Sequence, residues 1–143
     1  MKICILTPRF PYPENGGDVL RINSIAKYLK SKGHTLILVS YCNDKNSFTL
    51  ADKLYDKIYT TRHFKIKSAF YCALSLITGK CLQTGYYYSN SYLKLLRKVI
   101  NTEKPDMYIS HLLRMCPFIE KLGLERNTIV EMTDALSKTY ELS

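Results

Sequence analysis

The first 41 residues contain the pattern that most restricts how this chain can fold. Two short apolar runs, 2–7 and 34–41, contain β-branched residues and no turn formers, which is typical of buried strands. Between them apolar residues recur at helical spacing from Val19 to Leu29, and Gly33 supplies a helix stop signal. A strand, a helix and a strand this close together predict a βαβ unit with parallel strands and a right-handed crossover.

Helical and extended segments continue to alternate after this unit. The chain is therefore predicted to form one α/β domain over residues 1–143. We expect a Rossmann-like, doubly wound and mostly parallel sheet with helices on both faces. Further strands are predicted at 57–61, 105–110 and 128–133, and further helices at 50–55, 66–77, 92–99 and from residue 111 to about 122.

The charge of the chain is unevenly distributed. The net charge is +9, and residues 45–104 hold eleven Lys and Arg against three acids. Such a surface suits anionic lipid, a phosphorylated substrate or nucleic acid. Nucleic acid is not favoured, because no recognition motif accompanies the charge. In segment 57–77, cationic residues accompany an apolar helix face, which predicts peripheral contact with an anionic membrane. A helix packed on the core with a solvated basic face fits that segment equally well. The cations concerned are Lys57, Arg62, Lys65 and Lys67.

The apolar segments indicate a cytoplasmic location. No apolar run approaches the roughly 18 residues that a membrane-spanning helix needs, and the N-terminus lacks the pattern of a secretory signal. The five cysteines form no C-x-x-C pair and are predicted to be reduced thiols. The three histidines lie far apart in sequence, so no metal site is predicted. We expect a cytoplasmic protein, in contact at most with the inner face of the membrane.

In an open parallel sheet, ligands bind where the strands end at their carboxyl termini. The loop after the first strand carries Gly16-Gly17 directly before a helix. Adjacent glycines allow close approach of the backbone to a ligand, and the helix start favours an anion. A flexible turn is the alternative interpretation. Asp18 would compete with a phosphate there, or it caps the helix.

Two further loops at that edge carry candidate residues. His111 follows a strand and can bond a hydroxyl or phosphate, or is a structural histidine. We expect it to be partly exposed and close to Gly16-Gly17. Arg114 is either a phosphate clamp or a solvated residue. Asp134 caps a helix or orients a histidine. Tyrosines 86–88 suit stacking on sugar rings or a place at the rim of a site.

Four segments together resemble one enzyme family. They are ICILTPRFPYPENGGDVLR (3–21), KGHTLILV (32–39), PDMYISHLLRMCP (105–117) and EMTDALS (131–137). In this order they are similar to the N-terminal domain of glycosyltransferase family 4, whose members have the GT-B fold of two Rossmann-like domains facing across a cleft. The middle of the chain, roughly 45–90, matches only loosely.

The resemblance implies transfer of a sugar from a nucleotide-sugar donor to a glycan or lipid-linked acceptor in cell-surface polysaccharide synthesis. Members of the family usually retain the anomeric configuration and use neither metal nor cofactor. Gly16-Gly17 matches the glycine loop that faces the diphosphate of the donor, and His111 matches the histidine near the reacting sugar. Arg21, Arg114 and Asp134 are weaker matches to substrate- or phosphate-binding positions.

One departure from the family pattern concerns the donor site. In the family, paired glutamates and basic phosphate ligands lie in the C-terminal domain, and nothing in these 143 residues corresponds to them. The expectation is therefore an acceptor-side half that is inactive by itself and needs a C-terminal donor-binding domain. The alternative is a stand-alone α/β module that binds a phosphorylated ligand.

Overall fold

The computed structural model describes residues 1–42, 51, 53–62 and 87–132. Within them five strands form a single sheet in which every pairing is parallel. The strands are β1 (Lys2–Thr7), β2 (Thr35–Tyr41), β3 (Lys57–Thr61), β4 (Met107–His111) and β5 (Thr128–Glu131). Their order across the sheet is β3-β2-β1-β4-β5.

Helices of the described residues cover both faces of this sheet. Helix α1 packs on one face, and α2 and α3 pack on the other. The predicted doubly wound α/β fold is therefore confirmed. The helices are α1 (Gly17–Ser31), α2 (Asn90–Glu103) and α3 (Cys116–Leu122), and two 3-10 turns lie at Leu113–Met115 and Glu125–Asn127.

The central strand β1 shows why its sequence is apolar without alternation. Ile3 and Ile5 lie in the cluster beneath α1, whereas Cys4 and Leu6 lie in the cluster beneath α2 and α3. Successive side chains of a strand point to opposite faces, so a strand covered on both sides needs apolar residues at every position. Burial also raises the pKa of the Cys4 thiol, which makes it an unreactive core residue.

The helix ends follow the signals in the sequence. The Ser89 hydroxyl accepts a hydrogen bond from the Tyr92 amide at 3.4 Å and caps α2. Pro117 lies in the first turn of α3, where its missing N–H leaves no helical bond unmade. Gly123 ends α3 with φ +65°, a left-handed conformation that suits glycine.

The strand order has its switch point between β1 and β4. The chain leaves β1 towards β2 on one side and leaves β4 towards β5 on the other, so the connections diverge at this point. Such a switch point in an open α/β sheet is where ligands bind, beyond the carboxyl ends of the strands. The loop 8–16 and the turn after His111 both begin there, as the sequence predicted.

Some predicted elements lie outside the described residues. These are the helix at 66–77 and residues 50 and 52 of the helix predicted at 50–55. The last strand, predicted to reach residue 133, ends at Glu131 in the structure. In the described part of the chain no helix combines the length and the apolar character that crossing a bilayer requires.

Candidate functional site

The loop 8–16 is tied to α1 by a buried amide. The Asn23 side chain donates hydrogen bonds to the carbonyl of Pro11 at 2.9 Å and to Oε1 of Glu14 at 3.0 Å. Its own oxygen accepts from the hydroxyl of Tyr55 at 3.0 Å. All the bonding groups of a fully buried amide are thereby used against the loop and the core. The loop is therefore anchored to α1 at Pro11 and Glu14.

Gly16 is the position in this loop that requires glycine. Its φ is +118°, and an added Cβ would lie 2.8 Å from Nη2 of Arg9 and 3.0 Å from Oδ1 of Asp18. Gly17 has no positive φ, and a Cβ there would meet nothing within 4 Å. Gly16 is therefore required for its backbone conformation, whereas Gly17 leaves open space at the start of α1.

An ion pair lies beside the glycine loop. Arg9 and Asp18 bond to each other through Nη2 and Oδ1. The cap interpretation of Asp18 is wrong, because Gly16 holds the N-cap position and Asp18 lies in the first turn of α1. Burial acts to raise the pKa of Asp18, but the hydrogen bond and charge of Arg9 outweigh it and hold the pKa below its usual range. Asp18 is therefore a carboxylate at neutral pH.

His111 is the last residue of β4, directly opposite Glu131 at the end of β5. Nδ1 of the imidazole lies 2.6 Å from Oε2 of Glu131. The side chain is buried, and the residue is only 1% exposed. The expectation of a partly exposed histidine is wrong, because His111 belongs to the strand and shares with Ile109 the sheet face that α1 covers.

Glu131 joins the histidine to α1. Its Oε1 lies 2.5 Å from Nε of Arg21, while Oε2 contacts His111. Arg21, predicted to bind phosphate, is thus paired with a carboxylate, although its side chain remains 53% exposed. His111, Glu131 and Arg21 form the triad, a name used below for these three residues.

The backbone directly after His111 is strained. Leu112 has φ 68° and ψ 156°, a region that is occupied almost only by glycine. Its amide donates to the carbonyl oxygen of Glu131 at 2.8 Å. Backbone strain of this kind costs about 1–3 kcal/mol and is found most often at functional sites. The turn therefore fixes the end of β4 against β5 at the point where the triad lies.

The triad fixes the protonation of the histidine. Burial lowers the pKa of His111, and it outweighs the opposing hydrogen bond and charge of Glu131 and the charge of Asp18. The ring is therefore neutral near pH 7. A carboxylate can only accept, so the single ring proton is on Nδ1 and is donated to Glu131. The lone pair is left on Nε2, a buried atom with no hydrogen-bond partner among the described residues.

We expect the free energy of unfolding to fall as the pH drops below about 6.5, the ordinary pKa of histidine. Because the folded pKa of His111 is lowered, the unfolded state binds more protons between the two pKa values. The stabilisation is complete above about pH 6.5 and is lost as the pH falls through the folded pKa, by about 1.4 kcal/mol for each unit of lowering. Urea titrations between about pH 5 and 8 measure this loss.

The control for this prediction is His111→Asn. Asparagine retains an N–H that can reach Glu131 but does not titrate. The loss of stability with falling pH should therefore be smaller in the variant than in the wild type. Parallel pH profiles would show that His111 does not contribute.

Arg114 contacts an aromatic ring and not the triad. Its guanidinium carbon lies 5.1 Å from the ring centre of Tyr87, and Nη1 is 3.4 Å from the hydroxyl of that tyrosine. Lys121 is placed in the same way over Tyr88, with Nζ 2.7 Å from its hydroxyl. Neither interpretation of Arg114, clamp or solvated residue, included this packing. Its role in binding phosphate stays a prediction, and Asp134 and Tyr86 lie outside the described residues.

One cation of the predicted membrane segment 57–77 has a partner within the protein. Nζ of Lys57 lies 2.6 Å from Oε2 of Glu103, a carboxylate that is otherwise buried. A lysine paired in this way has less charge to offer a lipid surface. Arg62 is exposed, and residues 63–77 lie outside the described part of the chain.

Two further residues of this region, Glu131 and Arg9, were not predicted from the sequence. Glu131 lay within the predicted strand 128–133, and its place opposite His111 is seen only in the pairing of β4 with β5. Among the described residues, no three His, Cys, Asp or Glu side chains are grouped so that they could hold a metal ion.

No model of a protein family matches the chain, and a search of curated proteins returned no match.

Proposed function

We propose that this chain is the acceptor-side half of a glycosyltransferase. It holds a glycan or lipid-linked acceptor while a donor-binding domain, for which these residues contain no counterpart, supplies the sugar from a nucleotide donor. The reaction is expected to belong to cell-surface polysaccharide synthesis. Two things support the proposal: the resemblance to glycosyltransferase family 4, and the polar residues that lie at the carboxyl edge of the sheet.

The observation that carries this proposal is the triad at the carboxyl ends of β4 and β5, next to the switch point. A buried imidazole with one nitrogen fixed and the other without a partner among the described residues is an unusual arrangement in a core. It lies where ligands bind in open α/β sheets, and next to a backbone strained at Leu112. A site built in this way supports recognition of a ligand more than a purely structural role.

The 143-residue chain alone should bind nucleotide sugars only weakly. Most of the affinity for the diphosphate is expected from the donor-binding domain, so UDP- and GDP-sugars should bind no more tightly than about millimolar, roughly 4 kcal/mol of binding free energy. Isothermal calorimetry measures this affinity. In parallel, the amide NMR signals of Gly16, Gly17 and His111 should shift when oligosaccharide acceptors are added.

The amide of Gly33 serves as the internal control for the NMR titration. It lies between α1 and β2, at the amino edge of the sheet, and should not respond to the acceptor. Micromolar binding of a nucleotide sugar by this chain would contradict the proposal that a separate domain binds the donor. It would favour the stand-alone module for phosphorylated ligands instead.

A further inference from the structure

The two helical layers differ in how the charge of their cations is balanced. Each cation of α1 forms an ion pair with a carboxylate. The pairs are Arg21–Glu131, Lys27–Glu14 and Lys30–Asp56. In the part of the chain that the structure describes, no cation of α2 or α3 is paired with a carboxylate. Uncompensated positive charge therefore lies on the side of the sheet that α2 and α3 cover.

The cations of α2 lie together on its outer surface. Lys94, Arg97 and Lys98 are all exposed, and the second and third follow the first by three and four residues, which places them on one face of the helix. The only acid of α2, Glu103, is buried, and its carboxylate accepts a hydrogen bond from Nζ of Lys57 at 2.6 Å. The outer surface of α2 therefore carries three positive charges and no negative charge.

Two further cations lie where α3 meets the start of α2. Arg114 and Lys121 are placed over the rings of Tyr87 and Tyr88, at 5.1 and 4.8 Å from the ring centres. These tyrosines directly precede Ser89, the cap of α2. A tyrosine ring attracts a cation without neutralising it, so both side chains keep their full charge.

The basic face is the name used below for five cations, Lys94, Arg97, Lys98, Arg114 and Lys121. Both helices are described throughout, and the one acid that they expose is Glu120. Leu113, directly before Arg114, is 52% exposed. Cations accompanied by partly exposed tyrosines and an exposed leucine are typical of a surface that rests on lipid, where basic residues meet phosphates and aromatic rings lie at the level of the head groups.

We infer that the basic face docks on the surface of an anionic membrane. Its cations lie against the phosphates of the lipid head groups, and Leu113 enters the interface between head groups and acyl chains. The contact is not made by Lys57, whose charge is already paired with Glu103. Nucleic acid also presents phosphates, but the chain has no recognition motif for it. The inference goes beyond the proposed function, because docking requires neither a sugar donor nor an acceptor.

The test begins with sedimentation of the 143-residue chain together with lipid vesicles. The vesicles contain phosphatidylcholine alone, or phosphatidylcholine with about one third phosphatidylglycerol. The chain should sediment with the anionic vesicles and remain in solution with the neutral ones. It should be released from the anionic vesicles as the salt concentration rises, because salt screens charges at a surface.

Two triple variants with the same net charge determine which face makes the contact. One replaces three cations of α2, and its matched control replaces three cations of α1 and its C-terminal cap. They are Lys94→Gln/Arg97→Gln/Lys98→Gln and Lys27→Gln/Lys30→Gln/Lys32→Gln. A cation at an anionic surface contributes roughly fivefold to vesicle affinity, so the α2 variant should bind about a hundredfold more weakly. The control should stay within about threefold of the wild type. Circular dichroism spectra check that both variants fold.

Three other results would each overturn the inference. Equal weakening in the two triple variants would show that only the net charge attracts the chain. Failure of the wild type to bind anionic vesicles, or equal binding to neutral ones, would exclude docking through charge. Tighter binding of a short DNA duplex than of anionic vesicles, lost in the α2 variant, would assign the basic face to nucleic acid. None of these results bears on acceptor binding, which the NMR titration of Gly16 and Gly17 measures separately.

Discussion

Sugar transfer by an enzyme that contains this chain and its donor-binding domain should fall about a hundredfold or more when His111 is replaced by alanine. Under the proposed function the substitution removes an imidazole at the acceptor site, and misplacing a reacting group by about 1 Å can cost that much in rate. Initial rates with a nucleotide sugar and an oligosaccharide acceptor, analysed as kcat and KM separately, measure the effect.

Two further variants separate catalysis from folding. His111→Asn retains a donor for Glu131 but lacks Nε2, so its rate should fall as far as that of the alanine variant while its stability falls less. His34→Ala changes a histidine that directly precedes β2 at the opposite edge of the sheet, and it should retain the wild-type rate. Normal transfer by His111→Asn would show that the histidine only supports the structure.

The fold was predictable because strands that are buried on both faces are apolar at every position, and this pattern is visible in the sequence. β1 and β2 read as continuous apolar runs, and α1 reads as an amphipathic segment between them. Ser89 at the cap of α2 and Pro117 in the first turn of α3 both occupy positions that suit their bonding capacity. None of these inferences required knowledge of how distant segments meet.

From the sequence, the site could be placed at the carboxyl edge of the sheet, but the contacts of its residues could not be predicted. The sequence placed His111 at the end of a strand, but the cover that α1 provides depends on packing between segments far apart in the chain. The pairing of His111 with Glu131 depends on the register of β4 and β5. A glutamate at a strand end gives no sign of its partner in a single sequence.

Loss of the Phe118 side chain should strongly weaken the fold. It is fully buried, with its ring centre 4.6 Å from that of Tyr92 and stacked at 5.3 Å on that of Tyr88. Phe118→Ala is expected to lower the free energy of unfolding by about 3–5 kcal/mol, because the surrounding side chains fill such a cavity only in part. Urea unfolding followed by circular dichroism gives the midpoint and the slope from which this loss is calculated.

The size of this effect follows from how α3 is attached to the sheet. The helix spans only Cys116–Leu122, too short to be stable by its own hydrogen bonds, so it depends on the packing of Phe118 and Ile119. Phe118→Leu retains much of the buried volume and should destabilise the protein less than alanine does. Glu120→Ala, on the exposed side of the same helix, should change the unfolding free energy by about 0.5 kcal/mol or less. If Phe118→Ala were as mild as Glu120→Ala, α3 would be held by contacts other than this aromatic cluster, and the strained turn that precedes it would need another anchor.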